Sequence, residues 1–177
     1  AIALRIRQSL NLSVILNQTV GEVRQFLQTD RVAIYRFEPD WSGLIVAESV
    51  ENFNQSIFGS RIKDPCFTEK HIEKYKQGIV LAINNVEAAN LATCYADVLA
   101  SYSVKANLVV PVVANDKVWG LLIAHHCQSP RNWLEQEIEL LKQLVIQVGI
   151  AVQQAELYEQ VQSLNNYLEQ KVQQRTI

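Results

Sequence analysis

Three cysteines and three histidines are the residues of this chain best suited to chemistry. Cys66 lies in "IKDPCFTEKH", between Pro65 and Phe67, two positions after Asp64 and five before His71. A Pro-bounded loop keeps a thiol reachable, and its thiolate fraction governs attack on an electrophile. Cys94 lies in "NLATCYADVLASY", where Leu91, Cys94, Val98 and Leu99 share one helical face. From period alone Cys94 is a small core hydrophobe. Cys127 follows an apolar run and reads as a packing residue at a strand end. No C-x-x-C or H-x-x-x-H pair supports a zinc site. A Cys–His nucleophile lacks a recognisable third group and oxyanion hole. His125 and His126 occupy consecutive positions of an expected strand, so they face opposite sides. The one that faces inward needs a partner, either a protein group or a bound ligand.

The elements that position these groups are legible in outline. Residues 1 to 27 carry a helical stripe through Leu10, Leu12, Val14, Ile15, Val20, Val23 and Phe26. "RVAIYRF" and "LIVAESV" read as a hairpin joined by the turn residues of "EPDWSG". Residues 51 to 70 read as a long loop, a class that is often functional in compact domains. A short helix is expected over 69 to 77, a strand in "GIVLAINNV" and a helix over 88 to 102. "NLVVPVVAND" and "KVWGLLIAHHC" form a second hairpin, and "SPRNW" breaks the chain before a last helix. That helix runs from Trp133 to the end with near-heptad apolar spacing, including Leu157, Val161, Leu164, Leu168 and Val172. A narrow apolar seam on a polar helix is a coiled-coil signal, so a homodimer is expected. Hairpin-linked strands flanked by helices predict an α+β fold with a central antiparallel sheet.

Composition narrows the function classes. A chain of 177 residues, 49% hydrophobic, suits one domain plus extra helix. Its net charge of −2 gives no basic footprint for nucleic acid. No apolar run reaches the roughly 18 residues of a spanning helix. With an odd cysteine count and no visible signal peptide, free thiols in a reducing cytoplasm are the default expectation. Gly-rich phosphate loops and the G-x-S-x-G elbow are absent.

"RVAIYRFEPDWSGLIVAESV", "ANLVVPVVANDKVWGLLIAHHC" and "SPRNW" resemble the GAF domains of cyanobacteriochromes, the bilin photoreceptors of cyanobacteria, over roughly residues 5 to 155. "DPCF" at 64 to 67 is similar to the D-x-C-F motif of the dual-cysteine lineage, and Cys94 lies 94 − 66 = 28 residues later. The resemblance implies a GAF fold with the N- and C-terminal helices on one side of the sheet. It implies a thioether from Cys94 to ring A of a linear tetrapyrrole, phycocyanobilin, partly or wholly isomerised to phycoviolobilin in some members. Cys66 would be a second, reversible linkage at C10, which shortens conjugation and gives a blue-absorbing state. Photoisomerisation about C15=C16 would reverse it, giving a green to orange state. The resemblance further assigns Asp64 to the pyrrole N–H groups, His125 to ring D, Lys74 and Tyr75 to a propionate, and Phe67 to the chromophore wall.

One residue departs from the pattern. Tyr95 stands where the family usually has histidine, and a phenol is no acid–base group near neutral pH. The expectation is that phycocyanobilin is retained and not isomerised. On this reading residues 1–155 are the bilin-binding domain and 156–177 a signalling helix leading to a kinase or other output domain. Such a domain is not an enzyme and touches neither nucleic acid nor membrane. The competing classes are a GAF domain binding a cyclic nucleotide or another small regulator, an empty dimerisation domain, and a thiol enzyme.

Overall fold

The computed structural model describes residues 2–176, with side chains described for 11–175. Leu10 therefore lies outside the described side chains. The elements are α1 (Ile2–Leu27), β1 (Arg31–Phe37), β2 (Gly43–Val50), β3 (Arg61–Ile62), α2 (Glu69–Lys76), β4 (Leu81–Ile83), α3 (Thr93–Ser101), β5 (Ala106–Ala114), β6 (Lys117–His126) and α4 (Glu135–Thr176). The six strands form one sheet in the order β3-β2-β1-β6-β5-β4, antiparallel throughout. Both hairpins expected from the sequence are present. The β5–β6 turn places Asn115 and Asp116 at φ 53° and 61°, the left-handed pair that matches strand twist in a two-residue loop.

Side-chain alternation divides the sheet between two cores. Val32, Ile34, Leu108, Val110, Val112, Leu122 and Ala124 face α1 and α4, where they meet Val20, Val23, Leu27, Leu141, Val145 and Val148. Ala33, Tyr35, Val109, Leu121 and Ile123 face the other way and pack with Tyr75 of α2. Strands that are buried on both faces read as nearly continuous apolar runs, as β5 and β6 do.

Two expectations need correction. The helix expected over 88 to 102 starts only at Thr93, because Asn90 takes a left-handed φ of 51° that interrupts any helix there. The loop of 51 to 70 contains a turn of 3₁₀-helix at Phe53–Gln55 and the two-residue strand β3. At the end of the chain, α4 continues past the core, and Leu157, Val161, Leu164 and Leu168 are exposed along it.

Gly149 marks the closest approach of α4 to the sheet, since a Cβ added there would run into the Val113 carbonyl oxygen. Alanine would gain about 1 kcal/mol of helix propensity. Forcing α4 off β5 should cost more, about 1–3 kcal/mol for an overpacked contact. Gly149→Ala is therefore expected to lower the melting temperature in a thermal scan followed by circular dichroism. A raised melting temperature would show that the two elements part at no cost.

Candidate functional site

A cavity of about 560 Å³ lies between the second face of the sheet, the 62–67 loop, α2 and α3. Tyr35 and Phe37 of β1, Asn107 and Val109 of β5, and Leu121, Ile123 and His125 of β6 form its floor. Period-2 alternation puts all of them on the face opposite α1 and α4. Its size is ordinary for a small-molecule site, and its walls are largely apolar with few polar groups.

The loop that carries Cys66 is closed by local hydrogen bonds. Asp64 Oδ1 accepts from the Cys66 N–H at 2.9 Å, and Phe67 N–H donates to the Asp64 carbonyl at 3.1 Å. Phe67 stacks on His71 with centroids 5.3 Å apart and packs against Phe37 at 5.5 Å. His71 Nδ1 accepts from Thr68 N–H at 3.0 Å, so its imidazole closes the start of α2. Cys94 is the second residue of α3, in its first turn. The two cysteines are paired as a disulfide with Cα atoms 5.9 Å apart. Folding the loop against the first turn of α3 brings two of the three cysteines together, and among the described residues Cys127 is free and buried. Among the described residues no group of three His, Cys, Asp or Glu side chains could hold a metal.

Each other expected residue has a defined place. Asp64, Phe67, His71, Lys74, Tyr75, Tyr95 and His125 all line the cavity. Lys74 is exposed at its edge, and Tyr75 is buried. Burial, followed by the Asp64 charge, pushes the Tyr75 phenol up to about 12. Burial also raises the Tyr95 phenol above its ordinary value, with smaller contributions from Tyr75 and Asp64. Both phenols therefore stay neutral at physiological pH. His126 points to the other side of the strand, 3.9 Å from Asp30 Oδ2 and bonded to Thr29 Oγ1 at 3.1 Å.

Arg31 and Asn107 were not singled out from the sequence. Arg31 is fully buried and donates from Nε to His125 Nδ1 at 3.1 Å, with its terminal nitrogen 2.9 Å from the same atom. A guanidinium only donates, so Nδ1 is an acceptor and the imidazole proton sits on Nε2. Asn107 Nδ2 donates to the Tyr95 hydroxyl oxygen at 2.8 Å. The signal for both was a lone polar residue at the start of an apolar strand.

Burial, then the Arg31 charge, holds His125 down at about 3. In the unfolded chain an imidazole titrates near 6.5. The unfolded chain therefore takes up the proton first, and this group's contribution to stability is complete above that value and is lost as pH falls towards 3. ¹⁵N spectra of labelled histidine should show His125 as the neutral Nε2–H form throughout pH 5 to 8, the window in which ordinary histidines titrate. A His125 signal that titrates inside that window would contradict the Arg31 bond.

Comparison with known proteins agrees with this geometry. The GAF domain model matches residues 11–152. The blue-light absorbing form of the Thermosynechococcus elongatus PixJ GAF-domain is 34% identical, with a TM-score of 0.82, covering 90% of this chain and 95% of that one. The phycocyanobilin-bound GAF domain of a cyanobacterial phytochrome is also 34% identical, with a TM-score of 0.76, covering 89% and 92%. The circadian input-output histidine kinase CikA of Synechocystis sp. is 33% identical over 195 residues, covering 97% of this chain. The chain spans only 26% of that kinase's length. This chain belongs to the GAF domain family and within it closely matches the cyanobacteriochrome PixJ structures.

Proposed function

We propose that this domain is a cytoplasmic photoreceptor module that holds phycocyanobilin covalently in the cavity beneath its sheet, in the manner of the D-x-C-F lineage. The observation that carries this reading is the meeting of Cys66 and Cys94, one from a loop and one from a helix start, beside that apolar cavity. The remaining donor set fits a long, amide-rich dianion: an acid at Asp64, a cation at Lys74, neutral phenols, and an imidazole donor at His125. When bound, the bilin supplies visible absorption and 15Z/15E photoisomerisation.

The protein's own groups do the rest. Cys94 forms the permanent thioether at ring A. Cys66, kept as a thiol by the reducing thiols of the cytoplasm, would hold the bilin reversibly at C10, and its loop can give way more readily than α3. Its bonded form gives the blue-absorbing state and its release the longer-wavelength state. Asp64 accepts from pyrrole N–H groups, Phe67 packs on the ring system, and Lys74 and Tyr75 meet a propionate. His125 donates from Nε2 towards ring D. Tyr95, held as a neutral phenol and already bonded to Asn107, cannot shuttle the proton that conversion to phycoviolobilin needs.

Residues 156–177 serve in this reading as a signalling helix. The exposed seam of Leu157, Val161, Leu164 and Leu168 pairs with a second copy, and the helix leads to a kinase or similar output domain. A change in helix register or crossing angle would transmit the photostate.

Variants co-produced with phycocyanobilin under reducing conditions separate the two thiols. Cys94→Ala should abolish zinc-stained bilin on a denaturing gel, whereas Cys66→Ala should retain it and lose the blue band. A blue band that survives Cys66→Ala would overturn the second linkage. Single cysteines introduced at Val161, Leu164 or Leu168 should crosslink two copies, with yields that differ between blue-illuminated and dark samples. Identical yields in both conditions would count against transmission through α4.

A further inference from the structure

Two different elements bring Cys66 and Cys94 together beside the cavity. Their Cα atoms are 5.9 Å apart, inside the ordinary range for a disulfide, and the structure joins them. The Cys66 end is held by Asp64, whose carboxylate accepts from the Cys66 N–H at 2.9 Å, and by Phe67, which packs on Phe37 and His71. The Cys94 end is held in the first turn of α3. Both residues are half-buried, within reach of a small solute, whereas Cys127 is buried. Accessibility thus makes oxidation selective for the pair. Both ends also border the cavity: Cys66 lines it directly, and Ala92 and Tyr95, which flank Cys94, line it too.

We infer that the pair is a thiol–disulfide switch that decides whether the empty domain can take up its ligand. The oxidant is a low-molecular-weight disulfide of the glutathione class. One thiolate of the pair attacks a sulfur of that disulfide and releases the first small thiolate. The other attacks the mixed disulfide, closes the Cys66–Cys94 bond and releases the second. Two protein thiols are oxidised, one small disulfide is reduced to two thiols, and the two protons pass to the leaving thiolates. Excess small thiol runs the same steps backwards. Only a thiolate is the nucleophile, so the closed pair attacks no ligand. This rests on the bilin reading, in which Cys94 forms the permanent bond and Cys66 the reversible one. Attachment is then the competing fate of the same sulfur. A thioether at Cys94 leaves Cys66 without a partner, so the switch governs loading and not the loaded domain. Loading requires two conditions at once: a supply of the bilin and a reducing pool of thiols.

The test uses the unsubstituted full chain without bilin, held in reduced or in oxidised glutathione and then freed of small thiols. One portion of each sample is denatured in maleimide for a thiol count by mass, and another is mixed with phycocyanobilin. The reduced chain should take up three maleimides, one per cysteine. The oxidised chain should take up one, at Cys127, with no glutathione adduct and with a peptide that joins Cys66 to Cys94. Its covalent uptake of phycocyanobilin, read by zinc staining on a denaturing gel, should fall by at least about tenfold and return with dithiothreitol. Three maleimides after oxidised glutathione, or glutathione on either cysteine in place of the bridge, would overturn the switch while leaving the bilin reading intact. A bridged chain that attaches the bilin as fast as the reduced one would overturn the gating of uptake. A reduced chain that attaches no phycocyanobilin would overturn the bilin reading and the gating with it, whatever the thiol count.

Discussion

The guanidinium of Arg31 is the interaction around which the site is assembled. It is a full charge inside the protein, and such a charge is tolerable only when its donors are satisfied. It reaches the Gln55 carbonyl at 2.6 Å, the Tyr102 carbonyl at 2.8 Å and His125 Nδ1 at 3.1 Å. Those three partners lie after β2, at the end of α3 and in β6. One side chain from the start of β1 thus ties a loop, a helix end and a strand to the floor of the cavity. Glu48 and Asp30 lie close enough to favour its charge against the cost of burial. The same bond decides which nitrogen of His125 carries the proton, so a structural requirement also fixes the tautomer of a cavity-lining imidazole.

Around that point, sheet alternation does the sorting. Helices α1 and α4 cover one face with an apolar core, which leaves the other face free to carry Tyr35, Asn107 and His125 into a cavity. A one-residue slip between β5 and β6 would exchange the two sets of side chains. The register is held by the Asn115–Asp116 turn and by the length of the nine-residue β5 against the ten-residue β6. Asp64 sits on the opposite wall, where its charge adds to burial in keeping Tyr35 and Tyr75 protonated. The cavity therefore offers neutral hydrogen-bonding groups with charge placed at its edge.

Much of the fold was legible because its signals are local. The hairpins announce themselves by alternation and turn residues, and α4 by its heptad seam. The 88–102 helix was overextended because nothing in "EAANLAT" forbids a helix; Asn90 takes a left-handed conformation that asparagine tolerates and its sequence neighbours do not announce. Of the residues that motif resemblance singled out, Asp64, Cys66 and His125 line the cavity and Cys94 meets Cys66 beside it, whereas periodicity alone had placed Cys94 in a core. The pairing of Cys66 with Cys94 and the bond from Tyr95 to Asn107 join residues 28 and 12 positions apart. Contacts of that kind depend on how a loop and a helix dock on a sheet, and no local pattern records them.

The most direct test of the central claim, that two cysteines share one bilin, is the absorption spectrum of the reduced protein co-produced with phycocyanobilin, before and after blue light, with an acid-denatured aliquot of each. The account predicts a blue band that gives way to a longer-wavelength band, with denatured spectra that report phycocyanobilin in both aliquots. A chain that emerges colourless, or one whose blue light response is absent, would contradict it. A coloured chain whose denatured spectrum is dominated by phycoviolobilin would leave the cysteine chemistry standing and refute the role given to Tyr95.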